Sequence, residues 1–113
     1  MSYRDVAERF GDLVVRQDYS AAWDLLAKEA QALITPAAIQ AAVATMIAYA
    51  PGPIQAAQVM EEFVVEDWPD KQPGDLAVVY VALSGESFSE AVTLTLAQYG
   101  GAILIRQIEW GRP

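Results

Sequence analysis

The sequence has neither cysteine nor histidine among its 113 residues. Without cysteine, the protein forms no disulfide, no thiolate metal site and no cysteine nucleophile. Without histidine, it lacks the commonest general base and the commonest ligand of transition metals. Any catalysis would have to rely on carboxylates or tyrosines, and the sequence predicts neither a metal nor an organic cofactor.

Positive charge is also scarce. Seven Lys and Arg residues stand against fifteen Asp and Glu residues, which gives a net charge of −8 at pH 7. A surface of that sign repels phosphate backbones, so we predict no nucleic-acid partner. The same charge would steer a basic protein toward this one.

Long apolar runs are missing as well. The first ten residues, MSYRDVAERF, contain no apolar segment of signal-peptide type, and no stretch approaches the roughly 20 residues of a membrane span. The sequence therefore predicts a cytoplasmic protein without a membrane segment, unless a signal has already been removed. Its length of 113 residues and hydrophobic content of 54% predict one folded domain, residues 1–113.

What is present begins with three helical patterns. Ser2 has capping-box spacing to Asp5, and an apolar stripe follows, which predicts a first helix over residues 3–16. Ser20 is the predicted N-cap of a second helix, whose apolar face runs to about Leu33. Thr35, followed by proline, predicts the N-cap of a third helix that continues to about residue 50.

The second half of the chain changes to a period of two, which is typical of strands. Two-residue turns containing glycine favour tight hairpins between the later strands. Helices first and strands second form an α+β pattern. We predict three N-terminal helices packed on a curved, cone-like antiparallel meander of four strands, over residues 58–67, 76–83, 88–99 and 102–110.

The two faces of the predicted sheet differ in composition. One face is aliphatic and should lie under the helices. The other mixes aromatics, threonines and an arginine, as protein interfaces do, and predicts a homodimer. A bulge in the last strand would exchange the faces of Ile108 and Trp110. The interface candidates on this second face are Tyr80, Thr93, Thr95, Tyr99, Arg106, Ile108 and Trp110.

The helical half contains a spaced set of aromatic, aliphatic and polar residues: Phe10, Leu13, Asp18, Tyr19, Ala22, Leu25, Leu26, Leu33, Thr35, Pro36 and Ile39. This set resembles the nuclear transport factor two-like, or cystatin-like, superfamily, and within it small bacterial domains of unknown function. The resemblance implies a cone with a pocket between helices and sheet, and homodimers through the outer sheet face.

Some members of this superfamily are enzymes, and the resemblance places their site residues on this chain. The tyrosine of the ketosteroid isomerases falls at Phe10, which cannot donate a hydrogen bond, and the base falls near Glu29. The dehydratases need histidines, which are absent. We therefore predict no catalytic residue, and the pocket candidates are Phe10, Tyr19, Trp23, Glu29 and Met46.

Several candidates also have an ordinary structural interpretation. Tyr19 is predicted to anchor the corner between the first two helices, and Trp23 to lie in the core. Arg106 would form a salt bridge or clamp a carboxylate ligand. The acids of residues 61–70 match no calcium-loop spacing, so we predict no metal there, but an edge strand protected from pairing.

Three functions remain open from the sequence. The first is a non-catalytic binding or scaffold domain, a homodimer with a pocket for a small apolar ligand in the cone. The second is a small lyase- or isomerase-like enzyme that uses a tyrosine or a carboxylate of the pocket, and such a carboxylate would need a raised pKa. The third is an acidic immunity or inhibitory partner of a basic protein.

Overall fold

The structure, a computed structural model, describes residues 1–111. It confirms the α+β prediction, because helices at the N-terminus pack on an open four-stranded antiparallel meander. The helices are α1 (Tyr3–Val15), α2 (Tyr19–Asp24), α3 (Lys28–Gln31) and α4 (Pro36–Met46). The strands are β1 (Ala56–Val59), β2 (Asp75–Ser84), β3 (Ser89–Tyr99) and β4 (Ala102–Trp110).

Helix α1 begins at the predicted capping box. The Ser2 hydroxyl accepts a hydrogen bond of 3.2 Å from the Asp5 backbone amide, and the Asp5 carboxylate accepts one of 2.9 Å from the Ser2 backbone amide. Two N–H groups that the first turn leaves unpaired are thereby satisfied. The buried side of the helix follows the apolar stripe, with Val6, Ala7, Phe10, Leu13 and Val14 facing the sheet side of the core.

The prediction of one continuous second helix is wrong. Asp18, and not Ser20, is the N-cap of α2, and its carboxylate accepts the Ala21 amide at 3.2 Å. The chain then leaves the helix and pairs with the outermost strand: the amide of Ile105 donates to Leu25 at 2.9 Å. An edge strand has unpaired backbone N–H and C=O groups. Hydrogen bonds to these groups of β4 replace those that a continuous second helix would have formed.

Helix α4 begins where the sequence predicts and ends earlier. The Thr35 hydroxyl accepts the Ala38 amide at 3.1 Å, and Pro36 occupies the first turn. The helix ends at Met46, four residues before the predicted end at residue 50. Its buried side chains, Ile39 and Val43, close the core from above.

The first strand is shorter than predicted. Residues 58–67 do not form one strand, because a 3₁₀ turn at Glu61–Phe63 interrupts the pairing with β2. The chain rejoins β2 at Val65, whose amide donates to Val78 at 3.0 Å and whose carbonyl accepts from it at 2.8 Å. Residues 66–74 are therefore free to turn toward the sheet.

Two-residue turns in both hairpins predict Val81 opposite Glu90 and Leu96 opposite Ile105. The β2–β3 register is two residues away from this prediction. Val81 pairs with Val92, because the turn spans four residues, closed by a bond from Gly85 N–H to the Phe88 carbonyl at 3.0 Å. A slip of two residues preserves the side of the sheet on which each side chain lies. The predicted division of β2 and β3 into two faces therefore holds, with Val79 and Leu94 beneath the helices.

The face assignment of Ile108 and Trp110 is wrong. Leu96 pairs with Ile105 as predicted, but Thr95 pairs with Gln107, so Arg106 is the extra residue of a β-bulge. After the bulge, every side chain of β4 changes sides. Ile108 and Trp110 therefore join the inner face, and the Trp110 ring lies 6.1 Å from the ring of Phe10.

The inner face and the helices form one apolar core. Phe10 has no exposed surface, and the Trp110 ring packs beside it. The space that the cone would offer to a ligand at this point is occupied by the protein's own aromatic rings. The sheet residues of the core with no exposed surface are Ala77, Val79, Val81, Leu83, Val92, Leu94, Leu96 and Ile105.

Candidate functional site

The outer face of the sheet is polar on β3 and β4. Thr93 pairs with Glu109 and Thr95 with Gln107. Gln107 and Glu109 are here because the bulge at Arg106 exchanges the faces of the last strand. Hydroxyl, amide and carboxylate groups therefore occupy the side of the sheet away from the helices.

A groove of about 350 Å³ runs over this polar surface, and we call it the outer groove. Its floor is Val78, Tyr80, Thr93 and Thr95. One wall comes from the segment after the interrupted first strand, with Trp68, Asp70 and Gln72, and the other from Arg106, Gln107 and Glu109 of β4.

The floor of the outer groove presents hydroxyl groups without protein partners. Thr95 is only 8% exposed, yet within residues 1–111 we find no hydrogen bond to its hydroxyl, nor to those of Tyr80 and Thr93. Every fully buried side-chain N or O atom in the same residues has a partner. The Thr95 hydroxyl is therefore open toward the groove, since a sealed one would need a partner.

The wall at Trp68 is held by its own segment. Lys71 donates to the Glu66 carbonyl at 2.7 Å, and its ammonium lies 5.6 Å from the centre of the Trp68 ring. The Gln72 amide group donates to the Asp70 carbonyl at 3.3 Å. These contacts give the wall a defined shape beside the sheet.

A bidentate ion pair closes one end of the groove. Arg106 donates through Nε to Oδ1 of Asp75 at 2.7 Å and through Nη2 to Oδ2 at 2.8 Å. Burial raises the pKa of the Asp75 carboxyl, but the Arg106 guanidinium and the Gln72 amide together lower it below its usual value. The salt bridge that the sequence allowed for Arg106 is therefore formed, and its planar fork is occupied.

Tyr99 and Glu29 meet beside this pair. The Tyr99 hydroxyl donates to the Glu29 carboxylate, which joins the end of the β3–β4 hairpin to α3. Burial, followed by the hydrogen bond to Glu29, raises the pKa of Tyr99 to about 12. Tyr99 is therefore a neutral donor at ordinary pH and has no character of a base.

The five pocket candidates are not brought together. Phe10 is in the core, and Glu29 is exposed at the hairpin end. Tyr19 borders a cavity of only about 30 Å³, and burial raises its pKa. Trp23 packs against the core and donates to the Ile34 carbonyl at 2.6 Å, as its structural interpretation predicts. The isomerase-like arrangement of Phe10 with Glu29 is therefore not formed.

Met46 and Trp110 line a second groove, of about 430 Å³, between α4 and the end of β4. Its other side chains are Ala41, Ala42 and Thr45, so the only polar side-chain groups among these lining residues are the Thr45 hydroxyl and the Trp110 indole N–H. It also runs to Gly111, where the described residues end. The outer groove has the smaller volume but many more polar side chains that could orient a ligand, so it is the stronger candidate site.

The buried carboxylates of the described residues are Asp75 and Glu90. Asp75 is held by Arg106, and Glu90 accepts a hydrogen bond of 2.6 Å from the Tyr49 hydroxyl. Within residues 1–111, no three acidic side chains are grouped as a metal ion would require. None of the helices described in that range has the length and apolar character needed to cross a bilayer.

Sequence reasoning missed half of the outer groove. Thr93, Thr95, Tyr80 and Arg106 were predicted on the outer face, but as a dimer interface. The missed residues are Trp68, Asp70, Gln72, Gln107 and Glu109. A tryptophan inside the turn-rich segment 66–74 was an available signal, because a large ring in a polar loop needs a surface to pack on.

Comparison with family models, curated proteins and solved structures finds no match to this chain. The resemblance to the nuclear transport factor two-like superfamily stays a prediction.

Proposed function

We propose that the protein is a non-catalytic binding domain that holds a small polar molecule in the outer groove. The observation that carries the proposal is the row of hydroxyls from Tyr80, Thr93 and Thr95, which lack protein partners at the floor of the groove. Covering these hydroxyls without replacing their water partners would cost free energy, so the groove favours a ligand that itself donates to and accepts from them.

We propose no catalysis because the ionisable side chains around the groove are either engaged by other residues or exposed at its rim. Asp75 is engaged by Arg106 on both of its oxygens, and Tyr99 is held neutral by burial and Glu29. The remaining carboxylates, Asp70 and Glu109, are at the exposed rim. Exposed at the rim, these two carboxylates are suited to orienting a ligand, whereas a general base acts beside the reacting atom in a site sheltered from water.

A fragment screen by protein-observed NMR tests the site. We expect polar fragments to shift the amides of residues 78–80, 93–95 and 106–109. A library that mixes polar and apolar fragments of equal size provides the control. Shifts confined to the apolar groove beside Met46 would contradict the proposal.

A homodimer through the outer face is a second candidate, and a separate observation favours it. Next to the groove, the outer side of the sheet carries uncharged side chains, among them Ala56, Gln58 and Ala82. Two copies of a protein with a net charge of −8 could meet there without placing carboxylates against each other. Small side chains also allow two sheets to approach closely.

Sedimentation analysis tests the dimer. We expect the unmodified protein to form dimers and Ala82→Arg to shift it to monomers, because the arginine would protrude from the contact surface. Ala44→Arg, on the exposed side of α4, is the matched control and should leave the dimer intact. A monomer in the unmodified protein would exclude this second candidate.

A further inference from the structure

We propose that the ligand of the outer groove is a neutral polyhydroxylated ring, as in a sugar. This inference rests on the proposed binding function and names the chemical class of the ligand. Three properties of the groove support it: its charge, its mixture of donors and acceptors, and its aromatic side chains.

The charge of the groove disfavours anions. Its only arginine, Arg106, spends two donors on Asp75, whose carboxylate balances it. Asp70 and Glu109 add two carboxylates along the rim, and the Lys71 ammonium over the Trp68 ring offsets only one of these charges. The Gln107 amide donates to Glu109 at 3.3 Å without changing the charge. A phosphate or carboxylate ligand would meet net negative charge, whereas a neutral ligand would not.

The polar groups of the groove match a ligand that both donates and accepts. A sugar hydroxyl carries one proton and two lone pairs. The carboxylates of Asp70 and Glu109 offer acceptors only, the amides of Gln72 and Gln107 offer both functions, and the floor hydroxyls rotate to suit either partner. A simple amine, protonated at neutral pH, could donate to the carboxylates. It has no acceptor, so it could not accept a hydrogen bond from the floor hydroxyls.

Aromatic rings stand on two sides of the groove. Trp68 forms part of the wall and Tyr80 part of the floor. The C–H groups of a sugar ring form a weakly apolar face that packs on the negative face of an aromatic ring. The volume of about 350 Å³ lies within the usual range for small-molecule sites, which begins at about 300 Å³.

Thr95 is the floor residue that we expect to contribute most to the recognition of such a ligand. Its side chain is almost entirely buried, so its hydroxyl is a defined point on the floor and not a mobile surface group. A ligand hydroxyl that reaches it would exchange water for a protein partner in a partly dry site. Thr95→Val removes this group with almost no change in shape.

The test is ligand binding by NMR at millimolar concentration, with methyl glycosides of several hexoses and pentoses, and with a primary amine and a monocarboxylate of similar size as comparison probes. We expect at least one glycoside to bind, Thr95→Val to weaken it about tenfold, and Trp68→Ala to weaken it by a similar factor. Thr45→Val, an exposed threonine on α4 outside the outer groove, is the matched control and should not change the affinity.

The outcomes separate this inference from the proposed function. Binding of a glycoside with the expected loss in Thr95→Val supports both. Binding of only the amine or the carboxylate in the groove overturns the sugar assignment and leaves the binding function standing. If no probe and no fragment binds in the groove, both fail. A glycoside whose affinity is equal in Thr95→Val and Thr45→Val also overturns the assignment.

A comparison of an oligosaccharide with its monosaccharide distinguishes two sources of the sugar. Tighter binding of the oligosaccharide would indicate that the groove recognises a glycan chain, and equal affinity would indicate that it recognises a free sugar.

Discussion

The two faces of the sheet use alternate residues of the same strands and have opposite properties. On β3, Val92 and Leu94 have no exposed surface and lie under the helices, whereas Thr93 between them faces outward beside the outer groove. The inner face gains its stability from the close packing of its buried side chains. The outer face leaves hydroxyls without partners, which only water or a ligand can supply. In the function that we propose, stability and binding depend on opposite sides of one strand.

The bulge at Arg106 extends this division to the last strand. Without the extra residue, Ile108 and Trp110 would point outward, and Gln107 and Glu109 would point into the core. The pair with Asp75 holds the bulged residue in place. One local irregularity therefore completes both the apolar core and the polar groove.

The largest contrast should come from neighbouring residues of β3. Leu94→Ala removes a fully buried side chain, and we expect it to lower the free energy of unfolding by about 3 kcal/mol. Thr93→Ala should lower it by at most about 1 kcal/mol, because its side chain is half-exposed. Urea unfolding measures both, and equal losses would contradict the division of the two faces.

A somewhat smaller contrast tests the register of β4. Ile108→Lys places a charge on the inner face, and we expect a loss of about 2.5 kcal/mol. Glu109→Lys, on the exposed outer side, should change stability by no more than about 0.5 kcal/mol. If Glu109→Lys were the more damaging of the two, the bulge would not be where the structure has it.

The smallest effect concerns the ion pair that holds the bulge. Arg106→Met leaves the buried Asp75 carboxylate without its partner, and we expect a loss of about 2 kcal/mol at neutral pH, less than for a fully buried pair because the Arg106 side chain is 24% exposed. Asp75→Asn with Arg106→Met should restore part of the loss.

The pH dependence of that loss has a defined sign. The arginine lowers the folded-state pKa of Asp75, so its contribution is complete above the ordinary aspartate pKa of 3.8 and is lost as the pH falls through the lower folded value. The difference between the unmodified protein and Arg106→Met should therefore shrink as the pH falls toward that range. Urea unfolding at a series of pH values measures it, and a constant difference would argue against the pair.

Local patterns of the sequence predicted the parts of the fold that local physics decides. The caps at Ser2 and Thr35 and the alternation in β2 and β3 are confirmed. The break after α2 was not predicted, and a bulge in the last strand was considered but not placed at Arg106, because each depends on a distant partner: Leu25 bonds to Ile105, and Arg106 to Asp75. Spacing along the chain contains no information about either pairing.

The candidate site shows the same limit. The outward hydroxyls follow from the strand period, so they could be predicted. The wall at Trp68 depends on how residues 66–74 turn after the 3₁₀ interruption, and Gln107 and Glu109 depend on the bulge. The groove forms only where the floor hydroxyls, the Trp68 wall and the outward residues of β4 meet. The sequence therefore predicted an interface on this face but not a groove.

The most direct measurement of the central claim compares adjacent methyl groups of β3. In a protein labelled at the methyl groups of Val, Leu and Thr, a glycoside is titrated in while the methyl resonances are followed by NMR. The account predicts that Thr93 and Thr95 shift with saturation, while Val92 and Leu94 on the inner face stay nearly unchanged. Shifts of Val92 and Leu94 with unmoved threonines would place the ligand inside the cone and contradict it.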